Sequence, residues 1–480
     1  MTDRSYLNHY RDGNFIDCEV ECRRLIEKNP RDFNPNLVLC VSLTRLDRCK
    51  EAIEIGSIAL DVVVATDDQK ARLIHAIADA LLQLDRLVEA IEYYRKSLSL
   101  VPKRPKGLFS LAEALYTNNE FGEAQKVFEE LFRVDDVPND IYPHALYTYS
   151  IVNSEIGLGE LSARFPKLQK RVKHHLYCHA IGNFLSVDGQ SKLAFQLYDE
   201  ANNLRRLSEP YSFQTDMEIF DIHQRSIGGV SSIDLDKFPK SDATPIFIVG
   251  MPRTGSSLLE QMLGGHSSIA PTGETGWLMK ALRKSLRVDS DSSAFLNGLQ
   301  SLGDKEFLLR LRSSYFENVS DLGTEFFVDK TLGNFQLLWL VRVAFPEAIV
   351  IHSAREKGPT IWSCYKTSFR RGVRFSESLP EASVYFDKVE VLTRLWAGQL
   401  KSRMIRVQYE ELIEDSEKMI REVLSTLDLQ FESATLSPSS QSRIVNTASK
   451  VQVTKPIFKR PNREDEPFRE FVEARIAQAD

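Results

Sequence analysis

Arg253 stands inside a short loop between a strand-forming run and a helix, in the stretch PIFIVGMPRTGSSLLEQMLGGHSSIAPTGE that opens at Pro245 and closes at Glu274. The apolar run 245–249 ends at Gly250, an amphipathic helix is expected over about 255–263, and Gly264 and Gly265 close it. A strand, a glycine-containing loop and a helix N-terminus together make an anion site. Free backbone N–H groups converge there with the positive end of the helix dipole. The spacing Gly250-x4-Gly255-Ser256-Ser257 departs at one residue from the loop that cradles nucleoside triphosphates: the expected lysine is Ser256, and the loop's cation is Arg253. The chemistry indicated is phosphate binding, aimed at something other than the triphosphate of ATP.

Residues able to join Arg253 follow from the elements around it. The segments FFVDK (326–330), AIVIHS (348–353) and RMIRVQYEEL read as further strands. They alternate with helices at NFQLLWLVRVAF, around 360–369 and at LIEDSEKMIREVLSTL, which predicts a parallel α/β sheet. Ligands of such sheets sit beyond the carboxyl ends of the strands. Arg253, Glu274, Lys330, Arg355 and Tyr409 all fall at or just after such ends. Taken singly, Arg253, Glu274, Lys330 and Tyr409 each have a plain structural explanation: a solvated loop arginine, a surface carboxylate, a strand-end lysine, a packed tyrosine. Trp339, Trp362 and Trp396 read as core aromatics, and His352 as a strand-end residue that is structural or close to a nucleotide.

Residues 1–205 carry no alternating strand pattern and read as helix after helix. Small residues recur at Cys18, Ala52, Ala90 and Ala124, at separations of 34, 38 and 34 residues, and Pro30, Pro102 and Pro138 mark repeat ends. A small residue lets the two helices of a pair cross closely, and each pair then buries its other face on the next. This period resembles the tetratricopeptide repeat (TPR); an irregular helical bundle is the alternative. About five or six helical pairs are expected. The pattern blurs after Pro138 and returns in HHLYCHAIGNFLSVDGQSKLAFQLYDEANNLRR, with Ala194 and Ala201 in its second helix. Residues 206–242 read as one helix and a Gly/Ser-containing linker, and 243–480 as the second domain.

The second domain resembles sulfotransferases. PIFIVGMPRTGSSLLEQML is similar to their 5′-phosphosulfate loop, and IVIHSAREKGPTIWSCYKTSF to their 3′-phosphate motif, an arginine at a strand end with a serine eight residues on. VQYEELIED and VNTASKVQVTKPIF resemble later segments. The whole chain resembles bacterial sulfotransferases with N-terminal TPR repeats and, more distantly, tyrosylprotein sulfotransferases. The implied fold is an all-α TPR-like solenoid followed by a P-loop-like, parallel-sheet α/β sulfotransferase domain.

That resemblance implies the cofactor 3′-phosphoadenosine 5′-phosphosulfate (PAPS) and no metal. It assigns the 5′-phosphate to Arg253, Thr254, Gly255, Ser256, Ser257 and Leu258, and the 3′-phosphate to Arg355 and Ser363. An arginine suits that role because its planar fork makes bidentate bonds to phosphate. Tyr409 is placed near the nucleotide. Glu274 matches the family's general base, Lys330 its catalytic lysine and Ser449 its active-site serine; Arg253 joins these in catalysis. His266 is the competing base, since small-molecule sulfotransferases often use a histidine, but its place just past a helix end suits a carbonyl cap. The sequence departs from its bacterial relatives at Thr454, where they carry arginine, and lacks the tryptophan that follows. Lys455, Lys459 or Arg460 would replace that charge at the nucleotide. A scaffold with an inactive nucleotide site and a P-loop kinase remain alternatives; Asp329 is the nearest acidic residue to serve a kinase's magnesium.

Composition narrows the rest. At 480 residues with 42% hydrophobic content the chain can build more than one core, and a net charge of −6 disfavours generic binding to nucleic acid or anionic membranes. Six cysteines without metal-ligand spacing suit a reducing, cytoplasmic setting. The N-terminus shows no apolar signal segment and no run approaches a membrane span. A protein or peptide acceptor held by the repeats is the expected partner.

Overall fold

The chain folds as two units, Met1–Gln190 and Ser191–Asp480, in a computed structural model that describes residues 5–166, 173–230, 241, 243–288, 290–319, 322–369, 372–437 and 463–477. The described part of the first unit is helical, running in antiparallel pairs such as Phe33–Arg45 with Cys49–Val62, Asp67–Gln83 with Leu87–Leu100, and Pro105–Thr117 with Phe121–Phe132. Local signals mark the starts of some of these helices. Thr66 and Gln69 form a reciprocal capping box, Thr66 N donating to Gln69 Oε1 at 3.0 Å, and Pro105 opens the next pair at a position that needs no N–H donor. The repeating small residues Cys18, Ala52, Ala90 and Ala124 are all fully buried, as close helix crossing requires.

The sequence places the end of the repeats at residue 205, whereas the structure groups the helix Ser191–Ser208 with the second unit. The reason is that this helix packs on later residues. Phe195 stacks on Trp362 with centroids 5.9 Å apart, Asn202 Nδ2 donates to the Tyr365 carbonyl at 3.1 Å, and Arg205 Nε lies 3.2 Å from Glu377 Oε1. Repeat-like periodicity alone cannot reveal which neighbour a helix chooses.

The second unit is built on five parallel strands: β1 (Thr244–Gly250), β2 (Ile269–Pro271), β3 (Phe326–Asp329), β4 (Ile349–Ala354) and β5 (Met404–Gln408), in the order β2-β3-β1-β4-β5. Central β1 is buried on both faces, and period-2 alternation divides its side chains. Ile246 and Ile248 pack with Leu259, Met262 and Leu263 of the helix Ser256–Leu263 and with Ile420 and Val423. Phe247 faces the other way, onto Tyr315 and Phe345, each at 5.9 Å between centroids. Each fully buried aliphatic or phenyl side chain contributes roughly 1.5–3 kcal/mol, which fixes the strand's register and hence the loop that leaves it.

The strand order places the chain's reversal between β1 and β4. The connection after β1 runs to the β3/β2 side, whereas that after β4 runs to β5. A crevice opens beyond the carboxyl ends at such a point. The helix after β4 spans Lys357–Tyr365 rather than 360–369, and the long helix expected after β5 is two, Tyr409–Glu414 and Ser416–Thr426, with Asp415 capping the second. Strand β2, only three residues long, and the helices Trp277–Leu286, Lys305–Phe316 and Leu379–Leu400 are elements that the sequence reading did not name. Ser449, Thr454, Lys455, Lys459 and Arg460 lie outside the described residues, as does most of the linker.

Candidate active site

The loop after β1 is shaped by two glycines with distinct jobs. Gly250 (φ +136°) lies so close to β4 that a Cβ there would sit 2.5 Å from the Ser353 carbonyl oxygen. At Gly255 (φ +82°), which precedes the helix Ser256–Leu263, a Cβ would sit 2.3 Å from Tyr409 Cδ2. Only residues without a side chain let β4 and Tyr409 approach this closely. Between them Arg253 holds a left-handed backbone (φ +68°), uncommon for a residue with a side chain and concentrated at ligand sites. Thr254 fastens the turn: its Oγ1 donates to the Met251 carbonyl at 2.8 Å and lies 3.0 Å from Ser353 Oγ.

Two arginines and a serine meet at the β1/β4 reversal. Arg253 Nε donates to Ser363 Oγ at 3.0 Å, and Arg355 Nη1 donates to the Arg253 carbonyl at 3.2 Å. The Arg355 guanidinium lies over the Tyr409 ring, 4.9 Å from its centroid, a cation–π contact that holds the fork in place. Burial pushes the neighbouring Cys364 thiol up to about 12 despite the opposing pull of Arg253 and Arg355, so it stays a thiol and brings no negative charge to these cations. The sequence-predicted residues Arg253, Thr254, Gly255, Arg355, Ser363 and Tyr409 are thus gathered on one side of the loop. Leu258 packs partly into the apolar core, so its contribution to an anion is confined to the backbone.

A second cluster lies at the ends of β2 and β3. Lys330 is completely buried, and its Nζ reaches Ser257 Oγ at 3.1 Å, Glu260 Oε2 at 3.2 Å and Glu274 Oε1 at 3.4 Å. Glu274, by contrast, keeps 49% of its side chain exposed. The turn carrying it is tied on both sides: Gly273 N donates to Glu260 Oε1 at 2.6 Å, and Gly276 N to Thr331 Oγ1 at 3.0 Å. The result is a cation at the base of the loop helix, beside a carboxylate that faces solvent from a held turn.

Asp329 is buried next to this cluster but does not point a free oxygen into it. It accepts hydrogen bonds from Tyr315 Oη at 3.0 Å, from Thr331 N at 3.1 Å and Thr331 Oγ1 at 2.7 Å, and from Asn334. Burial raises the pKa of its carboxyl, with those hydrogen bonds pulling the other way. Its oxygens are engaged in fixing the end of β3, which leaves the magnesium-ligand role weighed for it without support. Among the described residues no group of three or more His, Cys, Asp or Glu is arranged to hold a metal ion.

The histidines separate cleanly. His266 is buried with both ring nitrogens on the backbone: Nε2 lies 2.9 Å from the Gln430 carbonyl, and Nδ1 accepts from Ser268 N at 3.1 Å. Neither contact is to a last-turn carbonyl of the helix Ser256–Leu263, so in place of the expected helix cap the ring ties this turn to the segment after the helix Ser416–Thr426. His352, on β4, is lowered to about 4 by burial, with Glu390 raising and Arg406 lowering it. Sequence reasoning missed Glu260 and Thr331. Glu260 had a signal: a charge set among Leu259, Met262 and Leu263 of a short helix that is otherwise almost wholly buried.

Comparison with known proteins gives a family match in each unit. Residues 245–433 match the sulfotransferase family and residues 71–104 match a tetratricopeptide repeat. A curated relative, an uncharacterized protein of Aquifex aeolicus (strain VF5), is 25% identical over 394 residues, 79% of this chain and 51% of its own length. The chain therefore spans about half the length of the curated relative it matches. Among solved structures, the sulfotransferase domain from the curacin biosynthetic pathway shares 16% identity over 50% of this chain and 98% of its own, with a TM-score of 0.34. The sulfotransferase domain of the Synechococcus PCC 7002 olefin synthase shares 18% identity over 52% of this chain and 98% of its own, also with a TM-score of 0.34.

Proposed function

We propose that this chain, in which residues 245–433 form a sulfotransferase-family domain downstream of a tetratricopeptide repeat, moves a sulfuryl group from PAPS to an acceptor hydroxyl on a protein or peptide held by the repeats. The observation that carries the reading is the pairing of Arg253 with Ser363 and of Arg355 with the Arg253 carbonyl, at the carboxyl ends of β1 and β4. It brings two forks for phosphate beside a loop of backbone donors. A nucleotide with phosphates on both its 5′ and 3′ positions uses both features; ATP leaves one idle. The donor set fits PAPS in kind: amides at a helix N-terminus, the Ser256 and Ser257 hydroxyls, two arginines and a lysine. PAPS, when bound, supplies an activated sulfuryl group on its 5′-phosphate.

The protein's own residues then divide the work. The loop 253–258 and Arg355 hold the phosphates, and Tyr409 braces Arg355. Glu274, half-exposed on its tied turn, takes the proton of the acceptor hydroxyl, a contribution of ~10²–10⁴ in rate for a positioned base. Lys330, at the root of the loop helix and bonded to Ser257, offsets negative charge developing on the leaving phosphate, worth roughly 3–4 kcal/mol in a dry site. Arg253 adds to that charge, and Ser449 and Lys455 belong to the same reading by family resemblance. A reducing compartment such as the cytoplasm suits the six free, buried cysteines.

Incubation of candidate protein, peptide, glycan and small-molecule hydroxyl acceptors with PAPS, followed by mass spectrometry, tests this function. The reading expects a sulfated product with PAPS and none without it. Nucleotide binding with no transfer to any acceptor class would favour a repeat scaffold with an inactive nucleotide site.

A further inference from the structure

Lys330 raises a problem of charge that its two described carboxylate partners solve unequally. The ammonium is completely buried, and a buried charge without a partner costs several kcal/mol. Glu274 and Glu260 both reach it, at 3.4 and 3.2 Å. On the function proposed above, Glu274 loses its negative charge each time it takes the acceptor's proton. At that moment Lys330 depends on Glu260. Glu260 is suited to be the constant partner: only 7% of its side chain is exposed, and its second oxygen is fixed by Gly273 N at 2.6 Å.

We propose that Glu260 is a positioning residue for sulfuryl transfer, supplying the permanent counter-charge of Lys330 while anchoring the turn that presents Glu274. The inference rests on the transferase reading and goes beyond it by giving a role to a residue that this reading assigns to neither nucleotide nor acceptor. One carboxylate performs both tasks because its two oxygens point to different elements, Oε1 to the backbone after β2 and Oε2 to the lysine after β3. The Lys330 amide also donates to the Gly273 carbonyl at 3.2 Å, so the two turns are coupled through backbone as well as side chains. The other charged groups around Glu260 do not substitute for it. Asp329 is consumed by Tyr315, Thr331 and Asn334, and Glu432, beyond the far end of the helix, holds Ser267 N at 2.9 Å.

The role predicts how charge and shape separate on substitution. Glu260→Gln keeps the size but removes the charge; Glu260→Asp keeps the charge on a shorter stem. With PAPS as donor, Glu260→Gln should lower kcat by about tenfold or more without raising KM for PAPS. Its affinity for adenosine 3′,5′-bisphosphate (PAP), the desulfated product, should be unchanged or tighter, because a negative charge beside an anion site has been removed. Glu260→Asp should recover part of the lost kcat. A merely structural role gives a different pattern, with kcat and PAP affinity lost together in both variants, and that result overturns the inference. So does turnover of Glu260→Gln within about twofold of the wild type, or a Gln variant more active than the Asp variant. Wild-type protein that neither binds PAP nor transfers sulfuryl groups overturns the functional reading itself, and this inference falls with it.

Discussion

Arg253 Nε donates to Ser363 Oγ at 3.0 Å, joining the loop after β1 to the helix after β4 across the point where the strand order reverses. Arg355 donates to the Arg253 carbonyl and lies over Tyr409, so the loop, the two strand ends and the helix after β5 are linked through one arginine pair. On the proposed function this pairing is the part of the site that distinguishes a 3′-phosphorylated nucleotide from other adenine nucleotides.

Arg355→Ala should weaken PAP binding by roughly 10- to 100-fold, the effect of losing hydrogen bonds to a charged group worth about 1.5–3 kcal/mol. Ser363→Ala should weaken it less, since a hydroxyl supplies one neutral hydrogen bond where the Arg355 guanidinium supplies a charged fork. Arg355→Ala should not greatly alter the weaker binding of adenosine 5′-monophosphate, which lacks the 3′-phosphate. Isothermal titration with both nucleotides checks this, and equal losses for the two would detach Arg355 from the 3′ position.

Glu274→Gln should lower sulfuryl-transfer kcat by roughly 10²-fold or more while leaving PAP affinity nearly intact, because the amide keeps the size but cannot take a proton. His266→Ala should act on stability instead, costing about 1–3 kcal/mol for the buried backbone groups it leaves unpaired, with kcat close to the wild type. Steady-state kinetics and denaturant melts on both variants separate the two candidates. Near-full turnover of Glu274→Gln together with loss of turnover in His266→Ala would reverse the assignment of the base.

Much of this site was legible in the sequence, and the reason is local. Gly250, Arg253, Gly255 and Ser257 lie within one strand–loop–helix unit, and Lys330, Arg355 and Tyr409 each follow a strand whose apolar run is plain. What spacing could not give was contact between segments. The bond from Gly273 N to Glu260 crosses from one element to another, and that from Gly276 N to Thr331 spans 55 residues, so the charge at Glu260 showed no partner in the sequence and Thr331 looked like an ordinary loop residue. The same limit explains the helix Ser191–Ser208. Its Ala194 and Ala201 continue the repeat pattern, yet its Phe195 and Asn202 pack on Trp362 and Tyr365. Strand β2 was hidden for a different reason: three residues are too few to show a period.

Acid should unfold both units through buried histidines. His75 and His352 are lowered to about 4 and His223 to about 3, each chiefly by burial. A histidine whose folded pKa lies below its unfolded value near 6.5 takes up its proton more readily in the unfolded chain, so its contribution is present above pH 6.5 and is lost as pH falls towards 4. Each such group should cost about 2 kcal/mol between pH 7 and pH 5. Urea melts across that range should show stability falling with pH, and His352→Gln should flatten the slope for the second unit. A slope unchanged by that substitution would place the acid sensitivity elsewhere.

The most direct measurement of the central claim compares PAP with ATP and magnesium as stabilisers of the full chain. A ligand held only by the folded state adds about 2.7 kcal/mol at a hundred times its dissociation constant, which a thermal melt resolves readily. The account predicts that PAP raises Tm without any metal, that ATP with magnesium at equal concentration raises it less, and that Arg355→Ala abolishes the difference. Equal or greater stabilisation by ATP with magnesium, or no response to PAP at any concentration, would contradict it.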